Sequence, residues 1–103
     1  KKINKDEGKI IWKEDAQKII AKINGLYPNP GAWFLFQGER YKVLKATLSD
    51  LKGQPGTVLD TNLTITCGNK SITIQEIQRQ GKNIQKAIEF LLGSKIKKDL
   101  ILS

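Results

Sequence analysis

Asn24-Gly25-Leu26-Tyr27-Pro28-Asn29-Pro30-Gly31-Ala32-Trp33 is the stretch that decides how the chain is read. Upstream lies an amphipathic helical pattern and downstream an extended apolar run, Trp33-Phe34-Leu35-Phe36. Gly25 stands where a helix C-terminal glycine would relieve the cost of a left-handed backbone. Pro28 and Pro30 forbid helix continuation and push Tyr27 and Asn29 toward extended geometry. Gly31 then permits a tight turn, so that Trp33 starts a strand close to the helix just left. The residues by themselves require only a rigid helix-to-strand corner.

Working back from this corner, Ala16, Ile19, Ile20 and Ile23 follow helical spacing, with Lys18 and Lys22 on the opposite, wet face. Asp15 is the expected N-cap, since its carboxylate accepts from the free amides of a first turn. The helix is expected over Asp15 to Asn24. Lys9-Ile10-Ile11-Trp12 reads as a short strand or extended lead-in, and Lys1 to Gly8 as a charged linker or arm.

Working forward, Gln37-Gly38-Glu39 is a hairpin turn. Arg40 to Leu48 is a strand whose alternation slips at Leu44-Lys45, which a β-bulge explains. Ser49 to Pro55 is a polar loop ending in the Pro55-Gly56 turn. Thr57-Val58-Leu59 is expected as a short strand, followed by a turn at Asp60-Thr61-Asn62. Leu63, Ile65 and Cys67 alternate with Thr64 and Thr66 as a half-buried strand. Gly68-Asn69 is a hairpin candidate. Ile72 and Ile74 point inward before Glu76-Ile77 shifts phase, which suggests a second bulge. Gly81-Lys82-Asn83 breaks the extended pattern. Ala87, Ile88, Leu91 and Leu92 then space helically up to Gly93, and Lys95-Ile96-Lys97-Lys98 follows as a basic tail. The expected fold class is α+β, mainly β with short α-helices: a small OB-like open barrel with a helix packed on it.

Composition narrows the function. A chain of 103 residues is long enough for one compact core and too short for two. Eighteen Lys and Arg against ten Asp and Glu give a net charge of +8, a field suited to a polyanion such as a phosphate backbone. Only Arg40 and Arg79 are arginines, so contacts are expected to be lysine point charges on phosphates rather than bidentate readings of bases. The basic residues gather in an arm (Lys1, Lys2, Lys5), on one strand (Arg40, Lys42, Lys45) and near the end (Lys82, Lys86, Lys95, Lys97, Lys98). A strongly basic composition can also be a general property of lysine-rich proteins, and any single lysine reads equally well as a solvated surface residue.

Histidine is absent and Cys67 is alone, which removes the commonest general base, the commonest zinc ligand and any disulfide framework. No glycine-rich phosphate loop is present. Glu14-Asp15 suits the positive end of a helix better than acid–base work, and Asp6-Glu7 is a solvated pair in the arm. Trp12 and Trp33 offer faces for base stacking, but framed by Ile10 and Leu35 they read as core anchors. Catalysis by this chain alone is not expected. No run approaches the roughly 20 apolar residues of a membrane span. The absence of methionine leads us to expect a piece of a longer protein.

One family matches this order of motifs. Asn24-Gly25-Leu26 with Pro28-x-Pro30-Gly31-Ala32-Trp33 resembles a signature near the start of the C-terminal domain of methionyl-tRNA formyltransferases. The likeness continues in register through Lys2-Ile3-x-Lys5-Asp6-Glu7-Gly8-x-Ile10-x-Trp12, Lys42-Val43-x-Lys45-Ala46, Pro55-Gly56-Thr57-Val58, Cys67-Gly68, Ile77-Gln78-x-x-Gly81-Lys82 and Phe90-Leu91-x-Gly93.

The resemblance implies a linker over residues 1–8 and a barrel domain over 9–103. It implies a monomer that meets initiator methionyl-tRNA through a basic surface, without a cofactor or a membrane. A covalently attached N-terminal domain would pass formyl from 10-formyltetrahydrofolate to the methionyl-tRNA. The expected compartment is the bacterial cytoplasm, with the mitochondrial matrix as the alternative. Lys42 falls on a tRNA-contacting lysine of the family, and Lys95 at or beside a basic contact position past the last helix. Together with charge clustering this gives Lys2, Lys5, Arg40, Lys42, Lys45, Lys82, Lys95, Lys97 and Lys98 as expected tRNA-binding residues. Ile11 departs from the family's usual acidic or polar residue before the tryptophan. Lys86 stands where the family usually carries a Ser or Thr helix cap, leaving Asn83 as the alternative cap. A sugar formyltransferase or formyltetrahydrofolate hydrolase domain, or a free-standing basic module, stays open as the other reading; the basic balance favours the methionyl-tRNA formyltransferase domain over these, and the missing methionine weighs against the free-standing module.

Overall fold

The computed structural model describes residues 8–102. Helix α1 spans Ala16–Leu26 and buries Ala16, Ile19 and Ile23. Each fully buried isoleucine contributes about 1.5–3 kcal/mol relative to an exposed one. Asp15 caps the helix as expected, accepting from the Gln17 amide at 3.0 Å and from Asn69 Nδ2 at 3.3 Å. The Gln17 bond, then the Asn69 bond, hold its carboxyl below the ordinary carboxylate range. Lys22 does not lie on a wet face. It is half-buried, with its ammonium 3.3 Å from the Lys9 carbonyl and 3.5 Å from Glu14.

The helix runs past Gly25 to Leu26, which corrects the expected end. Gly25 is not among the positive-φ glycines, so it is no left-handed cap. The stop comes from Pro28, which forces its predecessor out of the helical region. Tyr27 accordingly adopts φ −68° and ψ 139°. The left-handed glycine of the corner is Gly31, at φ 84°.

Strands β1 (Ala32–Phe36) and β2 (Glu39–Ser49) form a hairpin around Gln37 and Gly38, at φ 52° and 78°. Positive φ at both central residues matches the right-handed twist of the flanking strands. Strands β3 (Thr64–Thr66), β4 (Ser71–Arg79) and β5 (Ile84–Lys86) complete an antiparallel sheet of order β1-β2-β4-β3, with β5 also on β4. Both expected bulges are present and they face each other. Val43 pairs Ile77, Lys45 pairs Glu76 and Ala46 pairs Ile74, leaving Leu44 and Gln75 extra on their strands. Such bulges bend the ribbon and increase its twist. The result is a curled half-barrel sheet with two short helices, a small OB-like barrel.

Four expectations are corrected. Thr57–Leu59 is not a strand; Thr57 and Val58 make isolated bridges to Ile101 and Ile65. Thr64 and Thr66 are buried like their neighbours, because their hydroxyls find partners indoors. Thr64 pairs with Thr73 at 2.9 Å, and Thr66 donates to the Gln54 carbonyl. Residues after Asn83 form β5 before helix α2 (Ala87–Gly93) begins, and α2 buries Ala87 and Phe90 while Ile88 and Leu92 stay exposed. Lys86 is its N-cap residue, although an ammonium cannot accept; only the Lys86 amide is engaged, by Glu89 at 3.4 Å. The expected basic tail is folded chain. Ile96 and Leu102 are buried, and the Val58 and Leu102 amides donate to Leu100 and Gly56 at 2.8 and 2.7 Å.

Phe34 lies at the middle of the core, 5.5 Å from a stacked Tyr41 ring and 5.8 Å from a tilted Trp12. Tyr41 meets Phe90 edge-on at 5.7 Å, which ties α2 to the sheet. Cys67 is a buried core residue, and burial pushes its thiol up to about 12.

Candidate nucleic-acid interface

The turn at Gln37-Gly38 fixes the register of the basic strand. It places Arg40 opposite Leu35 and Lys42 opposite Trp33, so both cations leave the outer face while Tyr41 and Val43 enter the core. Arg40 Cζ lies 3.9 Å from the centroid of the Trp33 ring. The stem of Lys42 lies across Gly31, where an added Cβ would sit 2.6 Å from Lys42 Cδ. Its ammonium reaches Asn29 Oδ1 at 3.5 Å, so the proline corner positions this lysine.

Lys45, beyond the Leu44 bulge, belongs to a different surface. It lines a hollow of about 380 Å³ with Ile74, Lys86, Ile88 and Leu91, beside α2. Lys82 and Lys95 come together in a third place, a groove of about 480 Å³ whose lining includes Tyr41 and Phe90. Arg79 and Glu39 share that groove and form a two-pronged pair at 2.5 and 2.6 Å. The Arg79 hydrogen bond holds the Glu39 carboxyl low, and the same bond raises the guanidinium further. Lys97 and Lys98 are exposed on the folded C-terminal segment next to buried Ile96. Lys2 and Lys5 lie outside the described residues.

The expected positions thus fall into an outer-face pair, a groove pair, Lys45 apart, and two exposed lysines near the end. Arg79 was not among the expected contacts, yet it lines the same groove as Lys82 and Lys95. Its place facing Glu39 follows from the β2–β4 pairing, which a sequence does not print.

The tryptophans are structural, with Trp12 and Trp33 5% and 6% exposed. Gly8 packs on the Trp33 edge: a Cβ there would meet Gly31 O at 2.6 Å and the indole at 3.0 Å. Among the described residues no three His, Cys, Asp or Glu side chains converge as metal ligands. No described helix is long and apolar enough to cross a membrane.

A curled five-stranded sheet carrying two short helices and an outer basic strand defines the class, and the chain belongs to the formyl transferase C-terminal domain family, whose model matches residues 2–95. Its similar relatives are more particular. It is 58% identical over 96 residues to the methionyl-tRNA formyltransferase of Pelagibacter ubique (strain HTCC1062), covering 92% of this chain and 31% of that protein. It is 43% identical over 101 residues to the methionyl-tRNA formyltransferase of Paramagnetospirillum magneticum (strain ATCC 700264 / AMB-1), covering 98% of this chain and 33% of that protein. The chain thus spans about a third of the length of these relatives. Among solved structures, HypX from Aquifex aeolicus in complex with tetrahydrofolic acid aligns with a TM-score of 0.73 at 20% identity. That alignment covers 95% of this chain and 19% of HypX, and it speaks to the fold alone.

Proposed function

We propose that this chain is the tRNA-binding C-terminal domain of a methionyl-tRNA formyltransferase, acting in translation initiation in the bacterial cytoplasm. The observation that carries the reading is 58% identity to a methionyl-tRNA formyltransferase across 92% of the chain, together with a net charge of +8. Residues 1–8 serve as the linker and 9–103 as the barrel domain. The chemistry, transfer of formyl from 10-formyltetrahydrofolate to methionyl-tRNA, belongs to a separate N-terminal domain on the same polypeptide. The chain itself needs no cofactor and acts as a monomer.

Arg40, Lys42, Lys45, Lys82, Lys95, Lys97 and Lys98, with Lys2 and Lys5 of the arm, supply the cations. Lysines neutralise phosphates and release counterions without reading bases. Binding is therefore weak, steeply salt-dependent and shared among tRNAs, while identity is sensed elsewhere in the enzyme. A titration of initiator tRNA into the full chain between low and moderate salt tests the reading. Affinity should fall steeply as salt rises, and no binding at low salt would overturn it.

A further inference from the structure

The two arginines are in opposite situations. Arg79 has its guanidinium fork closed by Glu39 through bonds of 2.5 and 2.6 Å. Arg40 makes no ion pair among the described residues. Its backbone is nonetheless clamped on both sides. On β1 it pairs with Leu35, and at the end of β4 its carbonyl accepts from the Gln80 amide at 2.9 Å. The guanidinium rests over Trp33, a ring itself fixed by burial and by Gly8 against its edge. Lys42, two residues on along the same face, is steadied by Gly31 and Asn29.

A guanidinium held this way has surrendered much of its rotamer freedom before a ligand arrives. Its planar N–H fork matches two oxygens of one phosphate, whereas an ammonium offers only a point charge. We infer that Arg40, seated on Trp33, grips one RNA backbone phosphate bidentately, with Lys42 as the adjoining point charge. The inference rests on the tRNA-binding reading above and sharpens it: one contact of the interface depends on guanidinium geometry and not on charge alone.

The test compares the full chain with Arg40→Lys and, as an exposed-cation control, Lys18→Arg. Both variants keep the charge count. Against initiator tRNA, Arg40→Lys should bind about tenfold more weakly at every salt concentration with an unchanged salt slope, and Lys18→Arg should stay within about twofold. Wild-type affinity in Arg40→Lys would overturn the inference while leaving the tRNA-binding reading intact; loss of binding by the unmutated chain would overturn both. A loss confined to single-stranded RNA, with a duplex hairpin bound normally, would show base stacking on the guanidinium and also overturn it. If Arg40→Lys melts early, nitrogen-15 spectra of the unmutated chain decide the matter. The Arg40 Nε–H resonance should shift on adding a short duplex hairpin, and an unmoved resonance would overturn the inference.

Discussion

Gly68 stands so close to the Lys13 carbonyl that a Cβ built on the glycine would lie 1.8 Å from the oxygen. The contact is part of a larger junction. The Gly68 amide donates to Glu14 O at 2.8 Å and the Ala16 amide to Asn69 O at 3.0 Å, so the β3–β4 hairpin tip is laced to the start of α1. Neither the lead-in segment nor the hairpin can retreat without losing these bonds. We expect Gly68→Ala to destabilise the chain by about 3 kcal/mol, as overpacking at a constrained site does. Gly25→Ala, inside α1 with nothing within 4 Å, should instead stabilise by roughly 0.5–1 kcal/mol. Urea melts of the two variants should move in opposite directions.

The aromatic cluster supplies a second prediction. Phe34 is fully buried between Tyr41 and Trp12. Phe34→Ala should cost about 3–5 kcal/mol, the range for a truncated core aromatic. Trp33→Ala should cost a similar amount, since that ring is buried under Arg40 and against Gly8. An unchanged urea midpoint in Trp33→Ala would contradict the placement of that ring in the core.

Cys67 gives a pH dependence with a definite sign. Its thiol is pushed up to about 12 in the folded chain, chiefly by burial. A neutral thiol favoured by the fold contributes stability that is fully present below the unfolded pKa of about 8.5. That contribution is lost as pH rises through the window toward the folded value. Stability should therefore fall between these limits in the native chain and less so in Cys67→Ala. At neutral pH the thiol should resist alkylation until the chain is unfolded.

The chain alone should transfer no formyl group. Histidine, the commonest general base, is absent from the sequence. Incubation with charged initiator tRNA and a formyl donor should leave the methionine unmodified, and measurable turnover would contradict the division of labour proposed above.

Much of this fold was legible in local chemistry. Asp15 as a cap, a hairpin turn around Gln37-Gly38-Glu39 and the phase slips at Leu44-Lys45 and Glu76-Ile77 all announce themselves within a few residues. The turn itself is shorter than the expected Gln37-Gly38-Glu39: Glu39 already belongs to β2 and pairs with Phe36, and this register is what brings Arg40 near Trp33. What stayed hidden depends on partners distant in sequence. The threonines of β3 looked outward because hydroxyls usually do, yet Gln54 and Thr73 satisfy them indoors. The C-terminal segment looked like a tail because its lysines mask Ile96 and Leu102, which are buried where the segment's backbone bonds to the distant Gly56 and Val58. The division of the basic residues among separate surfaces likewise waits on strand pairing and on where α2 lands.

The central claim is that this domain holds tRNA by its backbone. The most direct measurement is the salt dependence of binding by the full chain and by Lys42→Ala, with initiator and elongator tRNA side by side. We predict that Lys42→Ala weakens binding to both tRNAs by a similar factor and makes the salt slope shallower by about one unit. A large preference for the initiator that persists at high salt would show that the domain reads identity, and would contradict the account.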